Sequence, residues 1–298
     1  MFKFNLTFLL LLLSCFTATA QLSNSIADFE IPEIKKGEQI IRHAAFSLVY
    51  NEPYEQASWV AYELTADETV KKYERTNRFI IDPKITTGTA DNADYMGSGY
   101  DKGHLAPAGD MEWSATSVAE SFYFSNMSPQ APSFNRGIWE TLEEFVRNNA
   151  VTNGAVYVIT GPVLTAGLSV IGHNQVAVPQ YYYKVILDYK DPVKKGIGFI
   201  LPNQESHNSI QSFAISIDEV EKKTGINFFP KLSPVEEKQL ESKFDLNLWN
   251  WNNNDNKASR STVVKNNSIS VQCSGITKKG TRCKKKTMNA NGRCALHQ

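Results

Sequence analysis

The distribution of cysteine most limits how this chain can be stabilised. Of the four cysteines in 298 residues, one is Cys15 and three lie at position 273 or beyond, so residues 16–272 contain none. That long stretch cannot depend on disulfides and must bury a hydrophobic core of its own. With 42% hydrophobic and 11% aromatic residues, the chain can form one large core with a small appendage. The same composition excludes a disordered, collagenous or multi-span membrane protein.

The N-terminus is typical of a cleaved export signal. Lys3 precedes an apolar run at 6–13, and Ala18-Thr19-Ala20 supplies small residues at a cleavage site. The apolar run is too short to span a bilayer. We therefore predict that residues 1–20 are a signal peptide and that the protein is secreted or periplasmic. A lipid anchor at Cys15 is the alternative, because a Leu-Leu-Ser-Cys segment ends there.

Charge is divided unequally along the chain. Residues 256–298 hold ten Lys and Arg residues and no acid, which leaves 21 basic and 31 acidic residues in the remainder. The formal net charge of zero therefore conceals an acidic body and a basic tail. Such an asymmetry indicates a tail that interacts with another molecule.

The basic tail also carries the three distal cysteines. Cys273, Cys283, Cys294 and His297 follow a C-x9-C-x10-C-x2-H pattern, which could complete a tetrahedral zinc site. A zinc knuckle of this kind would bind phosphate backbones without reading sequence through Lys278, Lys279, Arg282, Lys284, Lys285 and Lys286. The spacing is looser than that of a standard zinc finger. A disulfide with one remaining cysteine is the alternative in an oxidising compartment.

Hydrophobic periodicity predicts an α+β body. Strands are expected at 46–50, 58–64, 155–160, 181–187 and 197–201, and helices at 114–122, 137–148, 216–223 and 234–243. The two types are mixed without strict alternation, which favours α+β over a doubly wound fold. Residues 21–40 are predicted to be an irregular lead-in. Residues 82–100 are predicted to be a long functional loop.

The predicted domain organisation follows from these patterns. Residues 21–248 form the body, the Asn- and Ser-rich residues 249–270 form a linker, and residues 271–298 form the basic Cys/His tail. The tail is expected to be a zinc-knuckle-like appendage that binds nucleic acid.

The first candidate site is the run Asp101-Lys102-Gly103-His104, which follows the long loop and precedes a predicted helix. A histidine can act as a base near neutral pH because its ordinary pKa lies there. Gly103 would let a bulky phosphate approach, since it has no side chain. By itself, a lone histidine is more often a structural residue than a catalytic one.

The second candidate site combines an amide with a carboxylate. Asn135 lies just before a predicted helix, and Glu143 follows eight positions later, about two helical turns along the same face. Both oxygens could therefore face one Mg²⁺ ion, which prefers oxygen ligands. Taken alone, however, the spacing favours Asn135 as a simple helix N-cap.

Together the two sites resemble a known family. Asp101-Lys102-Gly103-His104, followed by Asn135-Arg136-Gly137-Ile138-Trp139 and Leu142-Glu143, is similar to the signature of the DNA/RNA non-specific endonucleases. This family includes bacterial extracellular nucleases and endonuclease G. The resemblance extends from about Phe46 to Phe229 and leaves out the signal and the tail. It implies a central, mostly antiparallel sheet flanked by helices, with a ββα-metal active site.

The resemblance also implies an activity and its residues. The protein would hydrolyse phosphodiester bonds of DNA and RNA without sequence specificity and leave 5′-phosphate ends. His104 would be the general base, Asn135 the direct protein ligand of Mg²⁺ or Mn²⁺, and Glu143 a ligand through water. An inactive nucleic-acid-binding module of the same fold is one alternative, and a phosphodiesterase for small nucleotides is another. The presence of both His104 and Asn135 favours the endonuclease.

Two departures from the family pattern concern the basic residues. Lys102 replaces the signature arginine, which keeps the charge but loses the planar fork suited to phosphate. The family also has an upstream arginine that steadies the scissile phosphate. Both Arg75 and Arg78 precede Phe79, and we favour Arg75. The predicted catalytic residues are therefore His104, Arg75, Glu143 and Lys102.

Overall fold

A computed structural model describes residues 28–251, 271–272, 274–276 and 282–287. The predicted signal peptide, Cys15 and the greater part of the linker and tail lie outside these ranges. Within them, no helix has the length and apolar character needed to cross a membrane.

Strands and helices follow one another irregularly along the described residues. The strands are β1 (Ile40–Arg42), β2 (Ser47–Asn51), β3 (Gln56–Thr65), β4 (Asp101–His104), β5 (Met127–Gln130), β6 (Ala155–Pro162), β7 (Val170–Ile171), β8 (Val176–Ala177), β9 (Tyr181–Asp188), β10 (Lys195–Pro202), β11 (Ala214–Ile215), β12 (Val271–Gln272) and β13 (Lys286–Thr287). The helices are α1 (Asn92–Tyr95), α2 (Ala108–Met111), α3 (Ala115–Glu120), α4 (Pro132–Phe134), α5 (Glu140–Asn153), α6 (Ile217–Thr224) and α7 (Pro234–Leu240).

A seven-stranded sheet forms the centre of the molecule. Its order is β1-β2-β3-β6-β9-β10-β11, and each pair of neighbours is antiparallel. The predicted α+β body with a mostly antiparallel sheet is confirmed. The long inner strands are rich in β-branched and aromatic residues, which suit a pleated, buried surface.

Alternate residues of each strand point to opposite faces of the sheet, and both faces are buried in hydrophobic clusters. On one face, Val60, Val158 and Ile186 belong to the larger hydrophobic cluster, which includes residues of α5. On the other face, Ala61 and Ile159 belong to a second cluster formed with residues of α6 and α7. The sheet therefore separates the molecule into two layers, and the helix that carries Glu143 lies in the first.

The helix that carries Glu143 begins later than predicted. We expected it to begin at residue 137, but α5 begins at Glu140 and is preceded by a π-helical turn at Asn135–Trp139. Gly137 interrupts the turn with φ −124° and ψ −111°, outside the helical region. π-Helical turns occur frequently at functional sites.

Strands β4 and β5 form a separate antiparallel pair that the sequence patterns did not predict. Their residues are largely polar and include Pro129, so they lack the apolar alternation of a strand. Gly103 pairs with Ser128 in this ribbon, and a Cβ atom there would come within 2.2 Å of the Gln130 side chain. Gly103 is therefore required for close packing. The expectation that it makes room for phosphate stays a prediction.

The body extends beyond its predicted end at residue 248. Trp249 is buried, and the ring of Trp251 stacks on Phe145 of α5 with 4.4 Å between centroids. Asn250 accepts a hydrogen bond from Asn149 Nδ2 and donates one to Asn149 Oδ1, both 3.0 Å long. Residues 249–251 thus pack as part of the body, and the predicted linker began three residues too early. The predicted lead-in also contributes to the core, through Phe29 and Ile31.

Candidate active site

The predicted site residues meet in a cleft of about 290 Å³ between β4, the π-helical turn and α5. The side chains that line it include all five predicted catalytic or magnesium-binding residues and two further arginines: Arg75, Lys102, His104, Asn135, Glu143, Arg136 and Arg147. The cleft thus combines one imidazole, oxygen ligands and several cations. It lies on the α5 side of the sheet.

His104 ends β4 and packs against two aromatic rings that also contact each other. Its ring centroid lies 4.8 Å from that of Phe122, edge to face, and 5.9 Å from that of Phe79. Burial, followed by the charge of Arg75, lowers the pKa of His104 to about 3. Its Nε2 atom is buried and has no hydrogen-bond partner among the described residues. The imidazole is therefore neutral at neutral pH and able to accept a proton.

Of the two candidate arginines, Arg75 lines the cleft. Its Nε donates a 2.9 Å hydrogen bond to Asn77 Oδ1, and its guanidinium carbon lies 5.6 Å from the centre of the Phe122 ring. Arg78 is exposed and does not line this cleft. The geometry therefore agrees with the preference for Arg75.

Asn135 is oriented by Asp101. It follows the last residue of α4, and its Nδ2 donates a 2.9 Å hydrogen bond to Asp101 Oδ2. Asn135 is thus no N-cap of α5, and that alternative was wrong. Arg136 binds the same carboxylate through Nε and one terminal nitrogen, at 2.8 and 2.6 Å. Because Nδ2 is committed to Asp101, Oδ1 is the amide atom that remains available, with no donor among the described residues.

Glu143 lies in the first turn of α5 and shares the cleft with Asn135. No hydrogen bond joins its carboxylate to the described residues. Burial raises its pKa, while Lys184 and Arg147 act in the opposite direction. Both residues therefore line one cleft, and the path between them is a π-helical turn followed by an α-helix.

Lys102 lines the cleft from β4. Its Nζ donates a 2.9 Å hydrogen bond to Asn92 Oδ1 of α1 and lies 4.3 Å from the centre of the Phe79 ring. A lysine at this position thus connects the cleft to the long loop. The cation–π contact and the hydrogen bond hold its charge near the site.

The sequence analysis did not identify Arg147 as a residue of the cleft, nor the buried residues that surround it. Arg147 is four residues after Glu143 and donates a 2.8 Å hydrogen bond to Asp110 Oδ1, while Tyr62 donates to Oδ2 at 2.7 Å. Lys184 is fully buried, with Nζ 4.7 Å from the Trp139 ring centre. The spacing of Glu143 and Arg147 was a usable signal, since residues four apart on a helix are neighbours. Lys184 lies within an apolar strand, where its position matched the family pattern but indicated no role.

A separate cluster of Asp91, Asp94 and His173 lies away from the residues that line the cleft. The buried Asp94 carboxylate accepts hydrogen bonds from the backbone of Asp91 and from both nitrogens of Asn174. His173 Nδ1 lies 3.1 Å from Asp94 Oδ1. These contacts tie α1 to the β7–β8 hairpin, so they fix one end of the long loop.

Only part of the predicted zinc and nucleic-acid site in the tail can be placed. Cys283 is buried, its backbone nitrogen donates to Gly275 O at 2.8 Å, and Arg282, Lys284 and Lys285 are exposed. Lys286 lies in β13, which pairs with β12. Cys273, Cys294, His297, Lys278 and Lys279 lie outside the described residues. The choice between zinc and a disulfide therefore stays a prediction.

Comparison with known proteins agrees with this geometry. The family model of the DNA/RNA non-specific endonucleases matches residues 27–234. Nuclease C1 of Cunninghamella echinulata var. echinulata is 37% identical over 227 residues, covering 70% of this chain and 89% of that protein. The mitochondrial nuclease EXOG of Danio rerio is 34% identical over 224 residues, covering 70% of this chain and 65% of that protein.

A solved structure is similar as well. A chain in the crystal structure of the EndoG/EndoGI complex has a TM-score of 0.63 and 35% identity, covering 67% of this chain and 88% of that chain. This chain spans somewhat less than two thirds of the EXOG protein from Danio rerio and 58% of the one from Mus musculus. The matched region includes every residue of the cleft. On the strength of that match, the chain belongs to the DNA/RNA non-specific endonuclease family.

Proposed function

We propose that this protein is an exported, metal-dependent endonuclease that hydrolyses phosphodiester bonds of DNA and RNA without sequence specificity and leaves 5′-phosphate ends. The observation that carries the proposal is one cleft that holds a neutral imidazole, an oriented amide oxygen and a carboxylate. The names of the relatives, all nucleases, support the same reaction class.

His104 acts as the general base in this proposal. Its depressed pKa keeps the ring unprotonated before substrate binds, and the negative charge of a bound phosphate would favour the protonated ring as it takes a proton from a water molecule that attacks phosphorus. The bond from phosphorus to the 3′ oxygen breaks, and the 3′ oxygen takes a proton from solvent. The phosphate stays on the 5′ side. The rings of Phe79 and Phe122 hold the imidazole in place during proton transfer.

The residues of the cleft fit a magnesium ion. Asn135 Oδ1 is the available amide oxygen, and Glu143 adds a carboxylate without a competing donor among the described residues. Both are hard oxygen ligands of the kind that Mg²⁺ or Mn²⁺ prefers. When bound there, the ion would stabilise negative charge on the phosphate and on the leaving oxygen. Asp101 holds the amide in the orientation that this requires.

The cationic side chains bind the substrate phosphates. Arg75, Lys102 and Arg147 all line the cleft, and Arg147 is held in place by its ion pair with the buried Asp110. A phosphate between Arg75 and His104 would lie beside the base. Because these groups recognise the backbone and leave the base edges unread, they support cleavage without sequence specificity.

The basic tail is proposed to hold polymeric substrate near an acidic body. The last described residue of the body before the tail, Trp251, lines a surface depression together with Arg136 and Glu140. Both of those residues also line the catalytic cleft. The described part of the body therefore ends beside a depression that adjoins the cleft. A cationic arm at this position would raise the local concentration of nucleic acid.

Export is proposed from residues 1–20, whose pattern is that of a signal peptide. A body without cysteine suits an oxidising compartment, since it has no thiol to oxidise. Expression with and without residues 1–20, followed by mass spectrometry of the exported product, tests this part. A mature chain that begins at Gln21 is the expected result, and retention of the intact leader would contradict it.

The nuclease proposal is tested with supercoiled plasmid and with total RNA. We expect the wild-type protein to degrade both in Mg²⁺ and neither in EDTA. His104→Ala should reduce cleavage by about 10²- to 10⁴-fold while binding DNA as before. Retained binding without cleavage by the wild type would favour the alternative, an inactive nucleic-acid-binding module.

A further inference from the structure

Three carboxylates converge on the side of the sheet opposite the catalytic cleft. Asp218 and Glu221 lie on α6, and Glu241 follows the last residue of α7. One oxygen from each of the three lies within 4.8 Å of the others. The neighbouring residues Ile217 and Leu240 belong to the second hydrophobic cluster, so this group is anchored in the core on that face.

Glu241 is the most unusual member of the group. It is only 1% exposed, and neither of its carboxylate oxygens has a hydrogen-bond partner among the described residues. Buried polar groups almost always have such a partner, because burial without a hydrogen bond is unfavourable. Its backbone carbonyl accepts a 3.0 Å hydrogen bond from Asp218 N, which holds the two helices together at this point. The side chain is thus buried, unpaired and directed at two other acids.

No basic side chain compensates for these acids. In the described part of the chain, none of the three forms an ion pair with lysine, arginine or histidine. Burial, followed by the charges of Glu221, Glu237 and Asp218, raises the pKa of Glu241 to about 8. Burial also raises the pKa of Glu221, although a 2.8 Å hydrogen bond from Phe228 N to its Oε1 lowers it. The fold therefore places like charges together without an ion pair among the described residues.

We propose that Asp218, Glu221 and Glu241 bind a Ca²⁺ ion that fastens α6 to the end of α7. Calcium accepts six to eight oxygen ligands at about 2.3–2.6 Å in a flexible arrangement, and three carboxylates with water can supply them. The ion would give Glu241 the partner that it lacks. Magnesium suits the group less well, because it demands near-octahedral geometry and gives up its water reluctantly. This site stabilises the fold and takes no part in catalysis.

The test uses the full mature chain with Asn135→Ala, which removes the proposed metal ligand of the cleft. After treatment with EDTA, the protein is titrated with CaCl₂ in a calorimeter, and its Tm is measured with and without calcium. We expect one ion per chain and a rise in Tm of about 5 °C at saturation. Glu241→Gln in the same background should abolish both effects. Glu205→Gln, which removes an exposed acid that does not belong to the group, should leave both unchanged.

Other outcomes are equally clear. If neither heat nor a shift in Tm accompanies added calcium, Glu241 is a buried neutral acid and the proposal is overturned. Binding of MgCl₂ in preference to CaCl₂ would overturn the assignment of calcium. Should Glu241→Gln fail to fold, Asp218→Asn decides the matter, because Asp218 is exposed and its loss should still weaken calcium binding at least tenfold.

Discussion

Asp101 holds Asn135 by a 2.9 Å hydrogen bond from Nδ2 to Oδ2, so that the first residue of β4 orients the proposed metal ligand of the π-helical turn. The same carboxylate is clamped by two nitrogens of Arg136. The amide that is proposed to bind magnesium thus depends on an acid 34 positions earlier in the chain.

Loss of Asp101 should weaken activation by magnesium. In Asp101→Ala the amide of Asn135 is free to turn, and we expect about 10- to 100-fold more Mg²⁺ for half-maximal activity. Arg136→Ala is the matched control, because it removes the clamp and leaves the hydrogen bond to Asn135. The measurement is initial rate against Mg²⁺ concentration. If both substitutions raise the Mg²⁺ requirement equally, the ion pair between Arg136 and Asp101 contributes as much as the hydrogen bond to Asn135.

The imidazole of His104 should not titrate near neutral pH. Burial and Arg75 lower its pKa to about 3, so in the metal-free protein its NMR signals should stay constant from pH 8 to about pH 5. Arg75→Ala removes a positive charge that disfavours protonation, and the pKa should therefore rise. Arg78→Ala, outside the cleft, should leave it unchanged. The signal is assigned by its disappearance in His104→Ala, and a pKa near the ordinary histidine value in the wild type would refute the prediction.

The ribbon of β4 and β5 should tolerate no side chain at position 103. In Gly103→Ala the new Cβ would approach Gln130 to 2.2 Å, and we expect a loss of about 1–3 kcal/mol in the free energy of unfolding. Gly109→Ala is the control, because its Cβ would meet only the flexible end of Arg147, at 3.2 Å. Urea denaturation measures both. Similar stabilities for the two variants would mean that the ribbon adjusts without cost.

Removal of the tail should affect polymeric substrates selectively. Deleting residues 257–298 takes away ten basic residues, so the apparent KM for plasmid should rise and its dependence on salt should flatten. The kcat on a short oligonucleotide should be unchanged, because the cleft remains intact. Kinetics at about 50 and about 200 mM NaCl provide the comparison. Identical KM values for both forms at both salt concentrations would remove any role of the tail in binding.

The framework of this fold could be read from local sequence. The inner strands have runs of apolar and β-branched residues, and α6 and α7 begin with capping boxes that start at Ser216 and Ser233. The order and spacing of Asp101-Lys102-Gly103-His104 and the Asn135 segment likewise indicated the site. The strand and capping patterns are local, so neighbouring residues alone determine them, whereas the site was indicated by the resemblance of two separated motifs to a family.

What escaped prediction depends on contacts between distant segments. Strands β4 and β5 are polar, and they form because each pairs with the other, with Asp101 opposite Gln130 and His104 opposite Met127. Lys184 resembles any residue of an apolar strand until the sheet brings it near Glu143. Glu241 similarly looks like an ordinary surface acid at the end of a helix. Burial and charge at these positions are properties of the assembled fold.

The stacking of Trp251 on Phe145 sets the smallest catalytic fragment that can be made from this chain. Phe145 lies two residues after Glu143 on α5. A fragment that stops at residue 248 would therefore lack the indole ring that packs on the helix carrying Glu143. Its low activity would then be mistaken for a contribution of the tail. A crystallisation or engineering fragment should therefore keep residues up to 251, where the last indole also donates a hydrogen bond to Leu246 O.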